Sequence, residues 1–552
     1  MGTRKDVRKM LEGRVLDVCV IGGGATGAGC ALDAQLRGLS TVLVEASDFA
    51  SKTSSASTKL VHGGVRYLQQ AVFDFDLGQL KMVHKALRER ILMLRNAPFL
   101  AHPQELLVPC FSWFELFYMT VGMKLYDWVS GSTSLFPSRS LSPQAALLKI
   151  PTLNRKKLVG AVTYADGQFD DARYCMALIK SFVSEGGVAL NYARGTLLNK
   201  GADGKLQSVD IVDELSGETY RITARAFVNC TGPFSDHIRL MANPALKPRL
   251  RLSKGVHILL PVEAIGGNTA LLIPKTEDGR VIFAIPWLGR LLVGTTDDEA
   301  NLQDKMAVTL QEIDYLLKYV NIYLATHLTP ADVQACFAGM RPLVASRDAV
   351  NTKKLIRDHE VEVDTLSGLV SVLGGKWTTY RAMAEDGINH VAQILGGTHK
   401  PCRTRKYALA GSKGYSPELW KKLSSAYPIP EETAKHLVEK FGGEAEAVLQ
   451  LTHQESGLLQ RVVPEAAPIR AEIVYAIHNE MAVSIEDVLA RRLGLQFYSW
   501  KNAILAAPVA GQYLARELGW SPSTLDDAVS AYTAGLTELQ QLAGGKAIKL
   551  PG

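Results

Sequence analysis

Val15-Leu-Asp-Val-Cys-Val-Ile21 runs without a break into Gly22-Gly-Gly24-Ala25-Thr26-Gly27, and these 13 residues decide the fold. The apolar run predicts a short buried strand, and the helical pattern from Ala28 to Arg37, closed by Gly38 as a C-cap, predicts the helix behind it. Between them, Gly22 permits the tight turn, Gly24 lets backbone N–H groups approach a pyrophosphate, and Gly27 lets the helix pack against the sheet. A second apolar run, Ser40 to Val44, ends in Glu45 and completes a β-α-β unit. Glu45 stands 18 residues after Gly27, where a carboxylate accepts hydrogen bonds from a ribose diol and repels a 2′-phosphate. A dinucleotide without that phosphate is expected.

Two further stretches separate FAD from NAD. Strand candidates follow at Arg221–Asn229, Val256–Pro261, Val281–Pro286, Leu291–Thr295 and Gly368–Leu373, while Ser47 to Ser57 is predicted loop. The first strand runs into Cys230-Thr231-Gly232, which resembles a flavoprotein signature where a strand end meets the cofactor. The last runs into Gly374-Gly375-Lys376-Trp377-Thr378-Thr379 and a helix, which resembles a further flavoprotein signature whose helix dipole would stabilise negative charge on a reduced flavin. A large cofactor gripped from three distant places is FAD.

The 552 residues allow about three to four domains. With 47 % hydrophobic and 21 % charged residues the chain is globular, and a net charge of +6 without a long basic tract argues against a nucleic-acid partner. Seven cysteines without a CxxC pair predict reduced thiols, and no metal site is expected. The N-terminus has no apolar h-region, so no secretory signal is expected. From about Ser416 capped helical patterns such as Ser484-Ile-Glu-Asp487 predict a separate helical domain, joined through a linker at 400–415. Seven aromatic residues fall between Phe111 and Trp128 in a chain that is 7 % aromatic. The surrounding segment is barely long enough to span a membrane, contains Pro109 and lacks neighbouring spans, which leaves an apolar core or a surface lying in the lipid headgroups.

Five ordered blocks resemble the FAD-dependent sn-glycerol-3-phosphate dehydrogenases: Thr53 to Leu68 (TSSASTKLVHGGVRYL), Lys254-Gly-Val-His257, Gly339-Met-Arg-Pro-Leu343, Ile356-Arg-Asp358 and Gly374 to Arg381. The resemblance covers roughly residues 15 to 400, and more loosely the helical tail. It implies an α/β FAD-binding Rossmann-like domain of the glutathione-reductase/D-amino-acid-oxidase type (15–100, 155–250 and 345–400), an antiparallel-sheet substrate domain (101–154 and 251–344) and a C-terminal all-helical domain (405–552). The implied reaction oxidises glycerol 3-phosphate to dihydroxyacetone phosphate, hydride passing from C2 to flavin N5 and electrons on to a membrane quinone. A bacterial-type enzyme without calcium control is expected, on the cytoplasmic face of the plasma membrane and peripherally bound to its anionic surface. The helical domain is a candidate dimerisation element.

Within these blocks a phosphate dianion calls for cationic forks, and Arg66, Arg341 and Arg357 are the candidates, with Lys254 and Lys59 adding charge. His257 is the expected base for the C2 hydroxyl. Lys376 is placed to polarise the alcohol oxygen or stabilise the reduced flavin, and Tyr67 to line the pocket. Flavin contacts are expected from Ser54, Ser55, Thr58, Lys59, His62, Gly63, Gly64, Thr231, Gly232, Gly374, Gly375, Lys376, Thr378 and Thr379, besides Gly22, Gly24, Ala25, Thr26, Gly27 and Glu45. The alternatives are an oxidase that uses O₂, an amino-acid or 2-hydroxy-acid oxidase, and a non-catalytic flavin-binding sensor.

Overall fold

A computed structural model describes residues 4–64, 77–274, 276–302, 307–345 and 358–544. Val15–Ile21 is a strand buried over its last four residues, flanked in parallel by Thr41–Val44 and by Thr219–Asn229, with Val370–Gly374 beyond the latter. Parallel strands with both faces covered favour buried aliphatic residues, and the carboxyl-terminal parts 18–21 and 226–228, with the whole of Thr41–Val44, are buried and mostly aliphatic. Because they run the same way, their carboxyl ends lie along one edge, and Gly22, Glu45, Cys230 and Gly375 follow those ends. That edge is where open α/β sheets bind ligands. Val188–Leu190, His359–Val363 and the strands Ala193–Lys200 and Leu206–Asp213 complete a sheet of eight among the described residues.

The helix behind the glycine turn spans Ala25–Leu36, three residues earlier than its periodicity predicts. Its first N–H, on Ala25, donates to the Ser54 hydroxyl 2.9 Å away, so a side chain from the following loop satisfies the end that no local cap reaches. Its small residues admit a close neighbour: a Cβ on Gly29 would lie 3.0 Å from the Tyr380 ring of the Tyr380–Leu395 helix.

The second sheet has ten described strands and is antiparallel except where Ala270–Ile273 meets Ala101–Cys110. Leu250–Pro261 pairs with Ala335–Val344 in an unbroken register from Leu250↔Val344 to Leu259↔Ala335. In this register Ser253, Gly255 and His257 share a face with Arg341, Gly339 and Phe337, because side chains alternate along a strand. The other face, with Val256 and Ile258, is core.

The C-terminal half holds the expected helical domain, with two features that its sequence pattern does not show. The helices are present, but their apolar faces form one continuous core with the second sheet, joining Val256, Ile258 and Leu292 to Leu437, Val474 and Trp500. Nor is 400–415 a free linker. Leu409 is buried and donates its N–H to Asn96, Ser412 bonds the same carbonyl, and Gly411 lies against Phe99 and Phe441 too closely for any side chain. The aromatic segment divides. Leu106, Leu107, Val108 and Cys110 are core strand, whereas the Trp113–Ser130 helix turns Met123 and Tyr126 inward. Its Trp113, Phe114, Phe117 and Trp128 are 74, 76, 69 and 77 % exposed. Among the described residues no helix is long and apolar enough to cross a membrane.

Candidate active site

Two cavities meet at the carboxyl edge of the first sheet. The first, of about 390 Å³, runs from Glu45, Ser47 and Ser51 past Gly22, Gly24, Ala25 and Thr26 to Thr231, Gly232, Gly374 and Gly375. The second, of about 380 Å³, is bounded by Thr58, His62, His257, Arg280, Phe283, Thr295, Asp297, Arg341 and Thr378. Thr53, Pro342, Gly375, Lys376 and Trp377 line both.

The first cavity has the shape the glycine motif requires. Gly22, at φ +110°, stands where a Cβ would lie 2.5 Å from the Cys230 carbonyl, so only glycine makes this turn beside the neighbouring strand end. Gly27 lines neither of these two cavities. A Cβ there would lie 1.8 Å from the Gly22 carbonyl, so its function is to let helix and turn touch. The Glu45 carboxylate accepts from Gly23 N–H at 2.6 Å and from Ser47 N–H at 2.9 Å. Each oxygen retains a lone pair for a ribose hydroxyl. Burial pushes the Glu45 carboxyl above its usual range, against the pull of the Gly23 and Ser47 N–H bonds. Opposite, Trp377 donates its indole N–H to Ser54 O at 3.0 Å, tying the serine-rich loop to the Gly374-Gly375 turn. A long nucleotide cradle with its ribose acid at one end and a glycine-lined helix start at the other fits FAD.

In the second cavity, glycines clear the space that the charged groups occupy. A Cβ on Gly255 would lie 2.2 Å from Arg341 Nη2, one on Gly294 2.2 Å from the His257 ring, and one on Gly339 2.5 Å from the Ala56 carbonyl. Arg341 donates to Thr295 Oγ1 at 2.9 Å and to the Thr296 carbonyl at 3.2 Å, and lies 3.2 Å from Asp297. His257 is buried, stacked on Phe337 with ring centroids 5.0 Å apart, and bonded through Nε2 to Thr58 Oγ1 at 2.9 Å. Its Nδ1 has no partner among the described residues. Burial, then the nearby Arg341 and Lys59 charges, hold its pKa well below 6.5, so the imidazole is neutral at pH 7. Burial likewise lowers that of His62.

Several expected contacts lie elsewhere. Lys59 lines neither cavity: its ammonium is buried, 2.5 Å from Asp171 and 2.7 Å from the Ser55 carbonyl, under the Phe337 and Phe497 rings. Lys254 is paired with Glu312 at 2.7 Å and lines neither cavity. Ser55 is buried against Lys52, and Thr379 bonds the Lys376 carbonyl, one shaping the loop and the other the helix start. Gly63 donates to Tyr126 Oη at 3.2 Å beneath the floor, and neither it nor Gly64 lines these cavities. Thr58 lies in the second cavity, against His257 rather than in the nucleotide cradle. Arg66, Tyr67 and Arg357 lie outside the described residues. Sequence reasoning missed Arg280, whose guanidinium is 3.1 Å from Asp298, and the hydroxyls of Thr295 and Thr296. The string Gly294-Thr-Thr-Asp297 at a strand end was their only signal.

A family model for FAD-dependent oxidoreductases matches residues 17–381, and one for the C-terminal domain of alpha-glycerophosphate oxidase matches 402–525. Over 516 residues the chain is 40 % identical to the mitochondrial glycerol-3-phosphate dehydrogenase of Rattus norvegicus, covering 92 % of this chain and 71 % of that one. It is also 40 % identical over 530 residues to the mitochondrial enzyme of Arabidopsis thaliana, covering 92 % and 84 %. The solved glycerol-3-phosphate dehydrogenase from Bacillus halodurans, complexed with FAD, superposes with a TM-score of 0.78 at 29 % identity over 99 % of both chains. The chain belongs to the FAD-dependent oxidoreductases and, within them, to the glycerol-3-phosphate dehydrogenase family.

Proposed function

We propose that the protein oxidises sn-glycerol 3-phosphate to dihydroxyacetone phosphate, with the substrate in the second cavity and its C2 beside the Gly375–Trp377 junction. One observation carries this reading: the strand register sets Arg341 and His257 on the same sheet face, at the end of the nucleotide cradle. FAD, when bound, supplies a two-electron acceptor that takes the C2 hydrogen as hydride. Arg341 takes the phosphate as a planar fork, held by Thr295 and Asp297, and Arg280 adds a second guanidinium on the same wall. As the C2–H bond breaks, His257 accepts the hydroxyl proton. Burial keeps this base neutral, Thr58 fixes its ring, and Lys376 polarises the oxygen.

Electrons leave to a membrane quinone, and the protein sits peripherally on the inner face of the plasma membrane. The exposed face of the Trp113–Ser130 helix supports this, since it offers Trp113, Phe114, Phe117 and Trp128 to the headgroup region with Lys124 beside them. The test is anaerobic titration of the yellow holoenzyme. Glycerol 3-phosphate should bleach the absorbance near 450 nm stoichiometrically, while lactate and amino acids leave it intact. Bleaching by a carboxylate substrate and not by glycerol 3-phosphate would falsify the assignment.

A further inference from the structure

The turn that carries the ribose acid is held by the C-terminal helices, 443 residues away along the chain. Glu45, Ala46, Ser47, Ala50, Ser51 and Lys52 line the nucleotide cavity, and Asp48 points from the middle of this turn in the opposite direction, into the protein. Among the described residues the bonds of its carboxylate all leave the turn: to Asn191 Nδ2 at 3.1 Å, Arg491 Nε at 2.5 Å, and Arg492 Nη1 and Nη2 at 2.7 and 2.8 Å. Both arginines belong to the π-helical turn Asp487–Arg492 and are themselves secured, Arg491 by Asp487 at 2.6 Å and Arg492 by the Glu480 carbonyl at 2.7 Å. The side walls repeat the connection. Tyr192 donates its N–H to Ser47 O and its phenol to Asp487, and Ala193 donates its N–H to Glu45 O.

A buried charge cluster is a poor source of net stability, and its best-attested use is to specify one arrangement. Here the arrangement specified is that of the cofactor's adenosine wall. We propose that Arg491 and Arg492 are positioning residues for FAD: acting through Asp48, they hold the Glu45–Lys52 turn in its binding geometry, so that the helical region sets how tightly the cofactor is retained.

The test follows flavin release from diluted holoenzyme by the fluorescence of free FAD, alongside thermal melting of the same samples. Arg492→Lys and Asp48→Asn should each release FAD at least tenfold faster than the parent well below their melting temperatures. At saturating FAD, the KM for glycerol 3-phosphate should be unchanged. Glu472→Gln breaks a buried pair with His436 away from the turn, and should lower the melting temperature without changing release. Release at the parental rate from either positioning variant, or equally fast release from Glu472→Gln, overturns the proposal. Where a variant does not fold, the unmutated protein decides, because the coupling is reciprocal. Removing FAD should raise amide exchange in peptides covering 483–494 more than in peptides covering 431–450, and equal changes overturn it.

Discussion

A single hydrogen at position 255 leaves room for the Arg341 guanidinium, and Gly294 makes the same room for the His257 ring. Gly255→Ala therefore displaces the Arg341 guanidinium, the far end of a flexible side chain, together with the Thr295 hydroxyl that holds it, 2.6 Å from the added Cβ. Its steady-state KM for glycerol 3-phosphate should rise roughly 10- to 100-fold, the cost of one charge-assisted hydrogen-bonding group. His257→Gln should leave KM nearly unchanged and lower kcat by about 10² to 10⁴, the usual contribution of a positioned base. The pH profile gives an independent check. Burial depresses the His257 pKa, so the ring is deprotonated and competent at neutral pH. The acid limb of kcat/KM should fall well below 6.5, and a limb at or above that value would show that another group takes the proton. In this pocket the residues legible in the sequence were those a charged substrate demands. Lys59 and Lys254 misled because their partners, Asp171 and Glu312, lie 112 and 58 residues further on, and no local pattern reveals a charge already neutralised.

The element of greatest consequence outside the pocket is the Trp113–Ser130 helix. Ser112 caps it by accepting the Glu115 N–H, while Glu115 returns its carboxylate to the Phe111 N–H, so the lone acid of its first turn serves the helix end. The outer rings are left without a protein partner for most of their surface. Replacing Trp113, Phe114 and Phe117 together by serine should reduce co-sedimentation with anionic vesicles at least tenfold and leave the flavin spectrum and thermal stability close to those of the parent. Retained binding would move the contact elsewhere. The glycine-turn helix is the opposite case, an element defined by contact. Gly27→Ala puts a methyl into the Gly22 carbonyl, forcing helix and strand apart at a cost of about 1–3 kcal/mol. The purified variant should melt lower and lose most of its FAD. Both elements were visible as patterns. What the aromatic run did was not, because its rings lie almost wholly on one helix and only the packing shows that Tyr126 turns into the core while Trp113, Phe114, Phe117 and Trp128 stay outside.

At the scale of the molecule, the second sheet and the C-terminal helices share one core, and a buried charge cluster joins those helices to the nucleotide sheet. Burial alone would raise the Glu480 carboxyl, but Arg173, Lys180 and Arg492 bring it down to about 2, and Arg492 and Arg491 likewise hold Asp48 below its usual range. A carboxylate depressed in the folded state contributes stability that is full above its unfolded pKa and lost as pH falls through the folded one. These two carboxylates should therefore make the melting temperature fall steeply between about pH 4 and 2. Glu480→Gln should start lower and fall less, which calorimetry across that range would measure. The nucleotide cradle was determined by the sequence alone, because a glycine turn, a ribose acid and a strand end each state their requirement within a few neighbouring residues. Which charges remain for the substrate, which rings stay outside, and how residues 491 and 492 come to grip residue 48 were decided only by the tertiary structure. Those outcomes depend on strand register and on partners hundreds of residues apart, where chain order carries no record of proximity.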